Sequence, residues 1–216
     1  MAGQVKVCGV RSVHDALMAV HAGVDALGLN FVRGRSRSVE VALAAEIVAA
    51  VRGAVRLVGI LCDPDDALLD SLSPLALDAF QLHGTESPSR CAELLARGYP
   101  VYKALAIGSP GDVRDADRFP GSEILFDAAA AAGEAAGGRG LAFDWSWLRD
   151  ASPRPYWLAG GLHPGNVGRA IIETRAAGVD VASGVEGAAG IKAADKLQAF
   201  VARAREAFAM RPAPAV

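Results

Sequence analysis

Short apolar segments that alternate with longer segments of helical pattern constrain the fold of this chain more than any other feature. Most of these segments are continuously hydrophobic, which is typical of parallel strands covered on both faces. The eight predicted strands are Val5–Cys8, Ala26–Phe31, Arg56–Leu61, Ala79–His83, Val101–Leu105, Ile124–Asp127, Tyr156–Ala159 and Val179–Ser183. This succession predicts an α/β fold of the single (βα)8 type, the TIM barrel. A doubly wound open sheet is the alternative, but it usually has fewer strands, and no GxGxxG motif follows the first strand.

Capping residues and prolines mark the predicted helix starts. Ser12, with Asp15 three positions later, resembles a capping box that opens a helix through His21. The other helices are expected over Val41–Val51, from Pro64, from Pro88, from Pro110, in a short segment after Asp144, from Pro164, and over Ala193–Arg205. We predict one barrel domain over residues 1–210 and a frayed C-terminal tail over residues 211–216.

The composition argues against several classes of function. Hydrophobic residues make up 52% of the 216 residues, and 22 basic residues nearly balance 24 acidic ones. Basic residues cluster only in a short patch at Arg33, Arg35 and Arg37, so we expect no nucleic-acid partner. No apolar run approaches the roughly 20 residues that span a bilayer, and no signal-peptide pattern opens the chain, so we expect no membrane association. Three separated cysteines without a CxxC pair favour the cytoplasm and no disulfide framework.

Polar residues at the strand ends are the candidates for chemistry, because active sites of such barrels lie at the carboxyl ends of the strands. Cys8 ends the first strand, before Gly9. A cysteine there is often a small buried apolar residue, but at the barrel mouth a lowered pKa would make its thiol a base. Asp127 ends the apolar sixth strand, where it serves either as a general acid with a raised pKa or as a helix cap. His83 is a further titratable residue, with a structural role as the alternative.

Glycine-rich turns follow the seventh and eighth predicted strands. They contain Gly160 and Gly161 in one case, and Ser183 and Gly184 in the other. Glycine lets backbone N–H groups approach an oxyanion closely, and phosphate sites in these barrels commonly form from these two loops. The pair of turns therefore predicts a phosphate site, with simple tight turns as the alternative.

Several motifs resemble those of the phosphoribosylanthranilate isomerase family of tryptophan biosynthesis, in family order from about Val5 to Arg203. They are Val5–Val10, Asp25–Phe31, Gln81–Pro88, Lys103–Leu105, Phe143–Trp145, Leu158–Leu162, Asn166–Val167 and Val179–Glu186. The QLHG, LAGGL and SGVE sequences together are highly specific for this family.

The resemblance implies an Amadori rearrangement of an N-glycosidic aminoaldose phosphate to a 1-amino-1-deoxyketose. It implies that Asp127 is the general acid and Cys8 the general base, without a metal or other cofactor. It assigns Arg37 to the anthranilate carboxylate, with Arg35 as an alternative, and we group His83 with these substrate-binding residues. Gly160, Gly161, Ser183 and Gly184 match the family's phosphate cradle. The expected partner is a small phosphorylated sugar, and the expected state is a monomer or a homodimer.

Some segments depart from the family pattern. The loop after the second strand reads Val32–Arg37, without the usual Tyr-Pro-Lys-Ser-Pro-Arg pattern, and Ala182–Ser183 replaces the usual serine pair. Gly137–Ala142 lacks the usual hydroxyl residues and follows a long alanine-rich stretch. These departures leave open a paralogue that isomerises a different N-glycoside phosphate. A non-catalytic metabolite-binding barrel and a metal-dependent epimerase are further alternatives, although the latter requires convergent ligands and only His83 and Asp127 are available.

Overall fold

The strands form a closed barrel in the computed structural model, which describes residues 3–128, 143–148 and 154–211. The strands are β1 Gln4–Cys8, β2 Ala26–Asn30, β3 Arg56–Leu61, β4 Ala79–Leu82, β5 Val101–Ile107, β6 Glu123–Ala128, β7 Tyr156–Leu158 and β8 Gly178–Val181. Each strand pairs in parallel with its neighbours in chain order, and β8 closes the barrel on β1 with Asp180 beside Lys6. The predicted TIM barrel is confirmed, with strand ends that differ from the prediction by at most two residues.

Helices surround the barrel in the described part of the chain. They are α1 Val13–His21, α2 Val41–Val51, α3 Asp66–Leu72, α4 Pro88–Ala96, α5 Pro110–Arg114, α6 Val167–Thr174 and α7 Ala194–Met210, with 3-10 turns at Ser73–Leu75, Asp115–Arg118, Trp145–Leu148, Ser183–Val185 and Ala188–Gly190. The predicted starts of α1, α2, α4 and α5 are confirmed, and the Ser12 side chain accepts a hydrogen bond from Asp15 N at 3.0 Å. The short segment after Asp144 is the 3-10 turn.

The predicted helix starts at Pro64 and Pro164 are wrong. Helix α3 begins at Asp66 because Asp65 is the cap and Asp63 has a left-handed backbone, with a φ of 46°. Helix α6 begins at Val167, because the Asn166 side chain accepts from His163 N and donates to Gly161 O, which holds residues 161–166 in a turn. At α3 the Asp65 side chain accepts from Leu68 N in the first turn of the helix, whereas at α6 the Asn166 side chain binds backbone groups of the preceding loop.

Only part of the predicted tail can be compared with the structure. Helix α7 extends to Met210, and Arg211 donates hydrogen bonds to the backbone oxygens of Arg175 and Ala176. Residues 212–216 lie outside the described residues, and the single-domain assignment over residues 1–210 remains our proposal. No helix of the described ranges combines the length and apolar character that a membrane crossing requires.

The interior of the barrel changes character along its axis. An apolar cluster of Ala26, Val58, Ala79, Tyr102, Ala104, Leu125, Trp157 and Ala159 fills much of it. Tyr102 and Trp157 meet edge to face there, with ring centroids 5.7 Å apart. Buried polar residues Lys6, Gln81 and Asp180 lie between this cluster and the carboxyl ends of the strands. Because alternate residues of a strand share a face, Cys8 and His83 point inward above Lys6 and Gln81.

Candidate active site

A cavity of about 350 Å³ opens at the carboxyl ends of the strands. Its wall brings together the predicted residues Cys8, Arg35, Arg37, His83, Asp127, Gly160, Gly161 and Ser183. The remaining predicted residue, Gly184, lies beside Ser183 and outside the wall. Residues far apart in the sequence therefore converge on one cavity, at the end of the barrel where the strand-end argument predicts the site.

Cys8 lies at the end of β1, partly exposed on the cavity wall. Gly28 on β2 leaves room for the sulfur, since a Cβ at that position would lie 3.1 Å from Sγ. Burial raises the pKa of the Cys8 thiol above its ordinary value, although the charges of Lys6 and Lys192 act in the opposite direction. This direction is opposite to the lowered pKa that would by itself make the thiol a base, so the thiol keeps its proton at neutral pH.

Asp127 faces His83 across the cavity floor. Its Oδ2 lies 3.3 Å from His83 Nε2, and its Oδ1 accepts a hydrogen bond from Ala128 N at 2.8 Å. Gly160 lies against this carboxylate with a φ of 81°, and a Cβ there would lie 2.9 Å from Asp127 Oδ1 and still closer to Ala128 N. Only glycine suits both this backbone conformation and this close approach.

Arg37 forms a two-point ion pair on the cavity wall. Its Nε and Nη2 donate to the two carboxylate oxygens of Glu186 at 2.7 and 2.8 Å. Gly9 makes room for this side chain, because a Cβ at position 9 would collide with Arg37 Cδ. Burial opposes ionisation of Glu186, yet the hydrogen bonds from Arg37 and the charge of Lys192 hold its pKa below the ordinary value. Arg35 differs, because within residues 3–128, 143–148 and 154–211 no carboxylate lies within salt-bridge distance of its guanidinium.

Lys192 holds the ends of β1 and β8 together. Its ammonium donates to the backbone oxygens of Cys8 and Ala182 at 2.8 and 3.0 Å, and to Glu186 Oε1 at 2.9 Å. Burial lowers the pKa of Lys192, and the charge of Glu186 opposes this effect. Lys192 and Glu186 thus form one buried ionic cluster with Arg37 beside Cys8.

The glycine turns that follow β7 and β8 are in contact. Gly160 and Gly161 both have positive φ, of 81° and 65°, and Ser183 opens a 3-10 turn. Gly184 packs against the backbone of Leu162 and His163, where a side chain would collide. The two predicted phosphate-binding segments are therefore adjacent at the cavity, and their contact with a phosphate stays a prediction.

Strand-end reasoning missed several polar residues of the site. Lys6, Gln81, Asp180, Glu186 and Lys192 are all buried around the cavity. The sequence could have indicated Lys6 and Gln81, because they precede Cys8 and His83 by two positions and therefore face the same side of their strands. The described ranges contain no group of three or more His, Cys, Asp or Glu side chains that could hold a metal ion.

Comparison with known proteins identifies the family. The family model for N-(5'-phosphoribosyl)anthranilate isomerase matches residues 5–203. The N-(5'-phosphoribosyl)anthranilate isomerase of Paracoccus denitrificans is 44% identical, over 94% of this chain and 98% of that protein. A crystal structure of phosphoribosyl anthranilate isomerase in complex with reduced 1-(o-carboxyphenylamino)-1-deoxyribulose 5-phosphate has 33% identity and a TM-score of 0.83, covering 94% of this chain and 99% of that one.

A Thermotoga maritima structure of monomers generated from the dimeric isomerase has 32% identity and a TM-score of 0.82, and it covers 94% of this chain and 99% of that one. The similarity to these relatives extends over nearly the full length of each chain. The chain therefore belongs to the N-(5'-phosphoribosyl)anthranilate isomerase family, whose members are enzymes that convert an aldose into a ketose.

Proposed function

We propose that this protein converts N-(5'-phosphoribosyl)anthranilate into 1-(o-carboxyphenylamino)-1-deoxyribulose 5-phosphate, with Asp127 as general acid and Cys8 as general base. The observation that carries the proposal is that a carboxyl group and a thiol line one cavity, between a pair of glycine turns and a rim of arginines. Such an arrangement suits a substrate with a phosphate at one end and a carboxylate at the other.

In the first step, Asp127 protonates the furanose ring oxygen. The bond between C1 and this oxygen breaks, its electron pair stays on the oxygen, and the nitrogen lone pair forms an iminium with C1. The Cys8 thiol, which is partly exposed at the cavity, then loses its own proton to water. The resulting thiolate removes the proton from C2, and the electrons of that C–H bond form an enolamine between C1 and C2. Loss of the C2 hydroxyl proton and protonation of C1 give the ketose. The iminium is the electron sink in this scheme, so the proposed steps need no cofactor.

The raised pKa of the Cys8 thiol favours this order of steps. A thiol that keeps its proton is a poor base, but a positive charge a few ångströms away stabilises the thiolate. Ring opening creates such a charge on the substrate beside the sulfur. Lys6 and Lys192 already act in the same direction. We therefore propose that ring opening precedes removal of the C2 proton.

The two ends of the substrate have separate binding groups in this proposal. Backbone N–H groups of the turns at Gly160–Gly161 and Ser183–Gly184 receive the phosphate. Arg37 receives the anthranilate carboxylate, and its pairing with Glu186 fixes the plane of the guanidinium. Arg35 is the alternative ligand, because it lines the same wall without a carboxylate partner in the described ranges.

The direct test is turnover of phosphoribosylanthranilate by the purified protein, followed by the loss of anthranilate-type fluorescence. We expect turnover in the wild type and its loss in Cys8→Ala and Asp127→Asn. Because both side chains lie at a cavity wall, melting temperatures of the variants should stay near the wild-type value. No turnover in the wild type would contradict the function, and full activity in both variants would contradict the assignment of acid and base.

A second candidate function keeps the reaction and changes the substrate to another N-glycoside phosphate. It is favoured by the loop that carries Arg35 and Arg37, which departs from the family pattern; the altered segment Gly137–Ala142 lies outside the described residues. Growth of a tryptophan auxotroph at normal expression of this protein would argue against the second candidate. Failure to grow, together with turnover of a phosphorylated N-glycoside that lacks the carboxylate, would support it.

The state of the cysteines bears on the compartment in which the protein works. All three cysteines, Cys8, Cys62 and Cys91, are free thiols, as is typical of proteins in a reducing compartment. We propose a cytoplasmic enzyme that is a monomer or a homodimer.

A further inference from the structure

A continuous series of polar contacts runs beneath the cavity from β8 to β6. Lys6 Nζ lies 2.8 Å from Asp180 Oδ2 and donates to Gln81 Oε1 at 2.9 Å. Gln81 Nε2 lies 3.1 Å from His83 Nδ1, and His83 Nε2 lies 3.3 Å from Asp127 Oδ2. Lys6 is fully buried and Gln81 is 1% exposed, so solvent cannot substitute for the contact between these two side chains.

The ammonium group of Lys6 determines which atom donates in each hydrogen bond of this series. An ammonium group has only donors, so the Gln81 atom that faces Lys6 must be the amide oxygen. The amide nitrogen therefore faces His83 and donates to Nδ1, which must carry a lone pair. The proton of the neutral ring then resides on Nε2, the nitrogen that faces Asp127. The buried ammonium thus determines the tautomer of a histidine on the opposite side of the barrel.

We propose that Lys6 and Gln81 are positioning residues for the reaction, which fix His83 with its Nε2–H toward Asp127 and so orient the carboxyl group of the general acid. This inference rests on the proposed function of Asp127. With Ala128 N at one oxygen and His83 at the other, the plane of the carboxyl group is held from both sides. We expect the separation of 3.3 Å between His83 Nε2 and Asp127 Oδ2 to shorten to a hydrogen bond when substrate binds, as is common for catalytic contacts.

The same ammonium also lies under the general base. Lys6 and Cys8 are two residues apart on β1 and face the same side, so the charge of Lys6 lies one layer below the sulfur. The Coulomb interaction with Lys6 acts to lower the pKa of Cys8, against the effect of burial. One buried cation therefore acts on both proposed catalytic residues.

A purely structural role does not account for Gln81. The ion pair with Asp180 already compensates the charge of Lys6, and apolar residues fill the neighbouring layer of the barrel. A buried amide destabilises the fold unless both of its ends are hydrogen-bonded. Among the described residues, Lys6 and His83 are the partners that hydrogen-bond to the two ends of the Gln81 amide.

The test combines nitrogen-15 NMR of labelled histidine with steady-state kinetics. In the wild type without substrate we expect the neutral ring of His83 to carry its proton on Nε2, with its signals assigned by their loss in His83→Gln. Gln81→Met removes the donor to Nδ1 but leaves Lys6 paired with Asp180. It should abolish the single tautomer and lower kcat by about 10- to 100-fold with little change in KM. The matched control is Gln198→Met, the same change on the exposed face of α7, which should alter neither quantity.

Further variants distinguish the effect of the orientation of His83 from the effect of having a side chain of similar size at each position. Gln81→Glu has acceptors only, so the His83 proton should move to Nδ1 and kcat should fall. His83→Gln keeps an N–H near the position of Nε2, and its kcat should exceed that of His83→Leu by about tenfold. Lys6→Met combined with Asp180→Asn removes the ammonium and its counter-charge together, so no lone buried charge remains. This pair should yield a mixture of tautomers in a folded protein.

Two results would overturn the proposal: protonation of His83 on Nδ1 in the wild type, or an unchanged kcat in Gln81→Met despite a lost tautomer preference. The tautomer is measured without substrate, so it does not depend on the proposed function. An Nε2-protonated His83 in a protein that does not turn over phosphoribosylanthranilate would overturn the function and the catalytic purpose of Gln81, while the orientation of the ring would stand.

Discussion

The guanidinium of Arg37 is held by the carboxylate of Glu186 through two hydrogen bonds of 2.7 and 2.8 Å on the wall of the cavity. The pair is mostly buried, with side-chain exposures of 20% and 8%. A guanidinium fork in this geometry has a fixed plane, so a carboxylate ligand meets an oriented donor rather than a flexible one. Lys192 joins the same carboxylate from the other side. The predicted substrate-binding arginine is thus part of an ionic cluster whose members stabilise one another.

Replacement of Glu186 tests this cluster. Glu186→Gln leaves Arg37 and Lys192 without their counter-charge in a largely buried site but keeps a hydrogen-bonding side chain there, so we expect the free energy of unfolding to fall by about 1–3 kcal/mol. The KM for phosphoribosylanthranilate should rise, because the guanidinium loses its orientation. Urea unfolding and steady-state kinetics measure the two effects. Asp66→Asn is the control: Asp66 also pairs with two arginines, Arg90 and Arg97, but on the exposed surface, where the loss should be hardly measurable. Equal losses in both variants would contradict a special role of the buried cluster.

Single substitutions at Arg35 and Arg37 distinguish the two candidate ligands of the anthranilate carboxylate. If Arg37 is the ligand, Arg37→Ala should raise KM by about 10- to 100-fold, the loss of a charge-assisted hydrogen bond. Arg35→Ala should then raise KM by less than about threefold, since an exposed charge acts mainly through a screened field. Initial rates over a range of substrate concentrations give both values. A larger increase in KM for Arg35→Ala would identify Arg35 as the ligand of the anthranilate carboxylate instead.

The pH dependence of alkylation tests the state of Cys8. Burial raises the pKa of the thiol, so the protonated form should persist to higher pH than in a free cysteine. The rate of carboxamidomethylation at Cys8, followed by mass spectrometry, should reach half its maximum above the ordinary thiol pKa of about 8.5. A midpoint at or below that value would contradict the raised pKa of Cys8.

The same shift affects stability with a definite sign. The native state binds the Cys8 proton more tightly than the unfolded chain does. This contribution to stability is present below the unfolded pKa and is lost as the pH rises through the folded pKa. Cys8→Ala should therefore weaken the alkaline loss of stability. The alkylation and stability measurements are both made in a Cys62→Ser variant, because Cys62 is a second, exposed thiol on the wall of the same cavity.

Gly160 lies close to Ala128 and Asp127 and has a positive φ, and a comparison with Gly53 separates the effects of these two features. Gly53→Ala places a side chain at a φ of 80° in open space, so it should cost about 1 kcal/mol from backbone strain alone. Gly160→Ala has nearly the same φ, but its Cβ meets Ala128 and the Asp127 carboxylate. It should destabilise the protein clearly more than Gly53→Ala, and it should lower kcat by about 100-fold because the general acid is displaced. Denaturation curves and kcat for the two variants check this prediction, and equal behaviour of the two would contradict it.

The sequence by itself determined the order and type of the barrel strands, because hydrophobic runs and turn residues act over a few neighbouring positions. For the same reason it indicated that Cys8, His83 and Asp127 end their strands and that glycine turns follow β7 and β8. It failed at the start of α3, where Asp63 binds Thr85, 22 positions away, and at the start of α6, where Asn166 binds backbone groups of the loop before the helix.

Only the tertiary structure decided which groups these residues meet. Arg37 and Glu186 are 149 positions apart, and Lys6 lies 75 positions from Gln81 and 174 from Asp180. Closure of the barrel brings these strands together, and the resulting burial sets the direction in which the pKa of Cys8 moves. Periodicity predicts the face on which a side chain lies, but hydrogen-bond partners and desolvation depend on strands that are distant in the sequence and adjacent only after folding.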